Sequence, residues 1–211
     1  MTRIACDIVL LPPREIAEAA LRLNRALLGR FDPKIVLNQN DCLPHLSLAM
    51  GALREEALPA AADLLAEVAS HFPPISLTVT GIEAGGIATG EPVSSLKIER
   101  TPSLQALHET VLRRMKPLFL EAAADDFIGF PEVQQTSVDW VNRYAAAAAY
   151  DRFSPHITLG VGTLEPDILP LPPPGIATRL ALCHLGNYCT CRKILFEIEL
   201  PGETAQSRAI R

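Results

Sequence analysis

The chain carries one ten-residue pattern twice. Residues 44–53 read Pro-His-Leu-Ser-Leu-Ala-Met-Gly-Ala-Leu, and residues 155–164 read Pro-His-Ile-Thr-Leu-Gly-Val-Gly-Thr-Leu. Five of the ten positions are identical, and Leu46/Ile157 and Ser47/Thr158 are conservative pairs. The copies are offset by 111 residues, close to half of the 211-residue chain. At average residue frequencies, two His-apolar-Ser/Thr-apolar matches arise by chance in about one chain in a thousand of this length. The shared leading Pro and trailing Gly lower that chance further. A duplicated half is the economical origin.

Side chains at i and i+2 of a strand share a face. His45 and Ser47 therefore project together, as do His156 and Thr158, while Leu46, Leu48, Ile157 and Leu159 turn towards a core. If a pseudo-twofold axis relates the halves, the two His-hydroxyl pairs meet across one cleft. Imidazoles titrating near neutrality on opposite sides of a substrate serve as general base and general acid. The hydroxyls beside them donate hydrogen bonds to non-bridging phosphoryl oxygens. That arrangement requires neither metal nor cofactor, and it does not say which histidine is the acid.

The rest of the chain alternates strand and helix patterns. Residues 4–11 are β-branched and apolar, as in a strand. Residues 13–28 repeat apolar side chains at helical spacing through Ile16, Ala19, Ala20, Leu23 and Leu27. Further helices are expected at 54–70, at 101–115 behind the N-cap signal Thr101-Pro102, and at 134–149. Strands are expected at 75–83, 94–99, 179–188 and 192–200, with Gly186-Asn187 as a turn and 166–174 as a Pro-rich surface loop. Mixed elements with a C-terminal hairpin predict an α+β fold. No linker divides the chain, so residues 1–211 are expected to form one domain of two intertwined lobes, with one motif each at 45–48 and 156–159.

Composition bounds the partners. Hydrophobic and charged fractions of 48% and 20% are ordinary globular values. A net charge of −5 excludes a broad basic face that would hold long nucleic acid, yet allows a small anion in a local pocket. No apolar run approaches the roughly 18 residues of a membrane span. The N-terminal apolar stretch contains Asp7 and ends at Pro12-Pro13, which reads as a strand and not a signal peptide. An odd count of five cysteines without a secretory signal points to a reducing, cytoplasmic setting.

The paired His-Leu-Ser-Leu and His-Ile-Thr-Leu segments resemble the motifs of the two-histidine (2H) phosphoesterase superfamily, which includes RNA 2′,3′-cyclic phosphodiesterases and proteins termed 2′-5′ RNA ligases. The resemblance extends over essentially the whole chain. It implies a bilobal α+β fold with antiparallel sheets flanking a central cleft. The expected partner is a small nucleotide or an RNA terminus, and the chain is expected to be a monomer. His45 and His156 correspond to the acid/base pair, and Ser47 and Thr158 to the phosphate donors. It implies metal-independent opening of cyclic phosphodiesters, or 2′-5′ ligation or hydrolysis at the same site; a non-catalytic nucleotide-binding or RNA-end-binding role is the alternative of another class. Some RNA-acting members place a basic residue just after the second motif, where this chain has Gly160-Val161-Gly162. Arg152, four residues ahead of His156, is a candidate for that charge.

Other side chains carry weaker signals. Arg192, after the Gly186-Asn187 turn, is a second candidate phosphate contact. Cys183, Cys189 and Cys191 with His184 invite a zinc reading, but two Cys-x-x-Cys knuckles are absent and burial is the expectation. His71, His108 and His184 are expected to be structural. Trp140, Tyr144 and Tyr150 are expected to pack in the core and not to stack on a base.

Overall fold

The computed structural model describes residues 2–85, 91–129, 132–166 and 168–202. Strand β1 (Arg3–Leu11) runs into helix α1 (Arg14–Leu28), and β2 (Leu46–Arg54) follows and carries the first motif. Helix α2 (Leu58–Ser70) leads to β3 (Ile75–Leu77), β4 (Val79–Gly85) and β5 (Val93–Ile98). Helices α3 (Pro102–Met115) and α4 (Gln135–Ala147) precede β6 (His156–Val161), which holds the second motif. Strands β7 (Gly175–Ala177), β8 (Arg179–Gly186) and β9 (Thr190–Glu199) complete the chain. The fold is α+β, as expected.

The strands form antiparallel sheets in the orders β2-β1-β8-β9 and β4-β5-β6, with a separate β3-β7 pair. Each motif strand thus lies at the edge of its own sheet. Helix α1, which follows β1, packs against β6, and α3, which follows β5, packs against β2. The largest buried cluster accordingly draws on both halves, through Ile8, Leu46 and Leu48 and through Leu96, Ile157 and Leu159. Each such fully buried side chain contributes about 1.5–3 kcal/mol of transfer free energy, so the core residues of the two motifs also bind the two sheets together.

Local signals read from the sequence are realised with adjustments. Thr101 caps α3 by accepting the Leu104 N–H at 3.3 Å. The 54–70 pattern resolves into a short 3-10 turn, Glu55–Ala57, before α2. The strand expected over 75–83 is broken at Thr78. Ile75, Leu77 and Val79 keep one buried face across the break, but the hydrogen-bonding partner changes from β7 to β5. Alternation records which face is buried and is blind to which strand lies alongside. Strand β7, three residues long and next to the expected Pro-rich loop, is too short to carry a pattern.

The expectation of uniformly reduced cysteines is corrected for one pair. Cys183 and Cys191 lie with Cα atoms 5.6 Å apart in the β8–β9 hairpin and form a disulfide, whereas Cys6, Cys42 and Cys189 are free. The two join Val9, Leu11 and Ala181 in a small buried cluster, which brings the sulfurs together. Among the described residues no helix is long and apolar enough to cross a membrane.

Candidate active site

The two motif strands converge on one cleft of about 460 Å³, lined by His45, Ser47, His156 and Thr158. Each strand carries a β-bulge at the same point of its motif. Across β1, Ile8 faces Ala49 and Val9 faces Ser47, so Leu48 is the additional residue. Across β5, Ser94 faces Gly160 and Ser95 faces Thr158, so Leu159 is additional. Leu48 and Leu159 are equivalent positions of the repeat. A bulge shifts side-chain parity by one. Leu48 and Ala49 are both buried in the core, while Met50 returns to the cleft with Ser47.

A buried helix side chain ties down each bulge. His108 on α3 donates from Nδ1 to the Leu48 carbonyl at 2.7 Å, and its Nε2 accepts the Tyr150 N–H at 3.1 Å. Its ring stacks on Phe153 with centroids 3.9 Å apart, just ahead of the second motif. Asn24 on α1 donates to the Leu159 carbonyl at 2.7 Å and to the Ile35 carbonyl at 2.8 Å, and accepts the Leu37 N–H at 3.0 Å. Both side chains are fully buried and satisfied. His108 is structural, as the sequence suggested; Asn24 gave no signal beyond a polar residue on an apolar helix face.

The two catalytic candidates share a further detail. His45 Nδ1 lies 2.8 Å from the Leu43 carbonyl, and His156 Nδ1 lies 2.8 Å from the Ser154 carbonyl. A carbonyl only accepts, so Nδ1 carries the proton in both rings and Nε2 is the nitrogen left for chemistry. Their surroundings differ. The His45 side chain is only 10% exposed, and burial, with the charge of His156 adding to it, pushes its pKa below the ordinary imidazole value. His156 lies exposed at the cleft lip.

Beneath His45 lies Asp7 of β1, fully buried, which enters the sequence reading only as an interruption of an apolar run. Its Oδ2 is 2.6 Å from Ser47 Oγ and 3.8 Å from His45 Nε2. The signal that marks it is parity: Cys6, Ile8 and Leu10 face the main core, which puts Asp7 on the opposite face. Burial pushes its carboxyl well above the usual carboxylate range, with the Ser47 contact acting in the opposite sense. Tyr144 of α4 lines the same wall, its hydroxyl donating to the Ser47 carbonyl at 3.4 Å.

The remaining candidates separate. Arg152 lines the cleft, with its guanidinium also donating to the Ala146 carbonyl. Arg192 does not line it. Its Nη2 lies 3.6 Å from Asp41 Oδ2, beside a smaller depression that Lys34 and Tyr188 also border. Arg143, which the sequence reading passed over, lines the cleft and lies over the Trp140 ring at 5.6 Å. Trp140 and Tyr144 are cleft walls as well as packing residues, whereas Tyr150 is exposed outside it. His184 contacts the Asp126 carbonyl at 2.9 Å, and His71 the Glu67 carbonyl at 2.7 Å; neither lines the cleft. Among the described residues, no group of three or more His, Cys, Asp or Glu side chains is placed to hold a metal ion. Gly160 has φ +151°, and a Cβ there would stand 3.1 Å from Asn24 Nδ2. The position after the second motif therefore serves the bulge, and a long basic side chain is not accommodated.

An α+β fold whose two His-x-Ser/Thr strands share one cleft is that of a two-histidine phosphoesterase. The chain belongs to the 2′-5′ RNA ligase superfamily, whose profile matches residues 12–173. Among solved structures, TT0787 of Thermus thermophilus is 21% identical, with 96% of this chain and 100% of that one covered and a TM-score of 0.53. Apo E. coli LigT is 18% identical, with coverages of 94% and 98% and a TM-score of 0.51. A structure described as a phosphoesterase is 18% identical, with coverages of 93% and 98% and a TM-score of 0.50. These likenesses show a common fold. No curated protein sequence matches the chain.

Proposed function

We propose that the protein is a phosphodiesterase that opens 2′,3′-cyclic phosphates of RNA ends or small nucleotides by paired-histidine acid–base catalysis. The observation that carries this reading is the matched pair of imidazoles, each with Nδ1 engaged by the carbonyl two residues back and a hydroxyl two residues on, lining one cleft. His45, buried and biased to the neutral form, takes the proton of the attacking water at Nε2. His156, at the exposed lip, delivers a proton to the leaving ribose oxygen. Ser47 and Thr158 hold the non-bridging oxygens as charge develops, and Arg152 and Arg143 line the cleft as cations for the phosphate. Two imidazoles and two hydroxyls suffice for this chemistry, so no metal is required. Trp140 and Tyr144 offer aromatic surface to a base. That E. coli LigT has been crystallised with 3′-AMP, ATP and NADP+ supports a nucleotide as the ligand class.

Purified protein incubated with nucleoside 2′,3′-cyclic phosphates and with 2′-5′-linked oligonucleotides, with products resolved by chromatography, tests the reading. Conversion of the cyclic substrates to monoesters, undiminished by EDTA, is the expected result. Turnover of the 2′-5′ linkage alone would move the assignment to 2′-5′ ligation or hydrolysis with a ribose oxygen in the role of water. Binding without turnover of either would leave a nucleotide-binding protein.

A further inference from the structure

We propose that Asp7 stands in the cleft floor as an uncharged carboxylic acid that gives its proton to Ser47 Oγ, leaving the Ser47 hydroxyl free to donate to a phosphoryl oxygen. This deepens the phosphoesterase reading and rests on it, adding a positioning residue to the site.

Donor counting raises the question. A serine hydroxyl has one proton. If Ser47 gives it to Asp7 across their 2.6 Å contact, it offers only lone pairs to an incoming phosphodiester and repels it. Thr158 faces no such competitor, having no side-chain partner among the described residues. With the proton on Asp7, the same contact runs the other way, and Ser47 matches Thr158 as a donor. The length suits an O–H···O bond in either direction.

The surroundings decide the direction. Asp7 is fully buried, and its Oδ1 is shielded from solvent with no hydrogen-bonding partner among the described residues. A dry carboxylate needs two or three donors or a paired cation to remain ionised. The groups around it supply neither. His45 Nε2, just ahead of β2, is 3.8 Å away, beyond hydrogen-bonding distance, and itself biased to neutrality. Tyr144 on α4, Cys189 ahead of β9 and the adjacent Cys6 are kept uncharged by their own burial. No lysine or arginine among the described residues pairs with Asp7. An ionised Asp7 would also draw His45 towards imidazolium, which spoils a base, and would set a negative charge under the phosphate.

The other lobe shows that the fold does not require this carboxyl. Asp7 lies opposite Met50 in register, and the equivalent pair of the repeat is Val93 opposite Val161. One lobe thus fills the position with a hydrocarbon, and the lobe of the buried histidine fills it with an acid.

Two measurements test the assignment. In the infrared difference spectrum of wild type against Asp7→Asn at neutral pH, the C=O stretch of a protonated carboxyl is expected, and Ser47→Ala should move it to higher frequency by removing the acceptor. A carboxylate band in its place overturns the proposal. The second measurement is the Kd of adenosine 2′,3′-cyclic phosphate, a monoanion across the pH range used, in a His156→Ala background that prevents turnover. Asp7→Leu and Ser47→Ala should each weaken binding about 3–10-fold, the worth of one hydrogen bond, and the double substitution no further. Asp7→Asn, whose amide N–H also donates to Ser47 Oγ, should recover most of the loss. Additive losses, or an Asn variant as weak as Leu, overturn it. Failure of the phosphoesterase reading is seen separately, as unimpaired hydrolysis by His156→Ala in the otherwise native chain; the infrared band needs no substrate.

Discussion

Each imidazole in the cleft is oriented by the backbone of its own strand approach, and no second side chain sets its tautomer. This arrangement leaves the two rings to be differentiated by their surroundings, His45 buried above Asp7 and His156 exposed. His45→Ala and His156→Ala are each expected to lower turnover of a cyclic phosphate by about 10²–10⁴-fold, the range for loss of a general acid or base, with unchanged circular dichroism. The pH profile of kcat/KM separates their roles. A base must start neutral, so the depressed pKa of His45 places the acidic limb below the ordinary imidazole value of about 6.5. Replacing His45 should flatten that limb. A profile of wild type with its acidic limb above pH 7 would contradict the assignment of His45 as base.

At the scale of elements, the site depends on α1 and α3 packing against the motif strands to hold the bulge carbonyls. Asn24 serves three backbone groups, two carbonyls and one N–H, all inside the protein. Asn24→Ala strands all three, so urea denaturation should show a loss of about 1–3 kcal/mol or more, against a near-neutral outcome for an exposed polar residue of the same helix. The segment beyond the second bulge is equally constrained. Gly162 has φ +111°, and a Cβ there would stand 2.3 Å from Phe31 Cδ2. Gly162→Ala combines backbone strain with that overlap and should cost about 1–3 kcal/mol, read as a lower midpoint with unchanged denaturant slope. The sequence shows Gly162 as a shared glycine of the repeat and Gly160 opposite Ala49, but the reason for Gly160 lies in Asn24 and Leu27 on α1, and that for Gly162 in Phe31 just beyond its end.

Over the whole molecule, buried titratable groups set opposing pH dependences. Burial lowers the folded-state pKa of His45, His108 and His184. Below about pH 6.5 the unfolded chain binds protons that these rings refuse, so stability is fully present above that value and falls as pH drops through their depressed pKa values. Asp7 has the reverse sign. Its folded pKa is raised, so its contribution is complete below about pH 4 and is lost as pH rises, at about 1.4 kcal/mol per pH unit until the buried carboxyl itself ionises. Asp7→Asn should therefore melt above wild type at pH 7, with the difference closing towards pH 4; an unchanged melting temperature at both would contradict a retained proton. What the sequence by itself determined was whatever is periodic or repeated. The duplicated motif placed His45 with Ser47 and His156 with Thr158, and alternation and helical spacing assigned their core-facing neighbours, because side-chain direction follows from local backbone geometry. Tertiary structure alone decided which distant groups meet. Asp7 contacts Ser47 across 40 residues and Asn24 holds Leu159 across 135, Cys183 closes on Cys191, and Arg192 turns away to Asp41. Such contacts depend on strand order, bulges and helix crossing, and none of these is written in the pattern of a single segment.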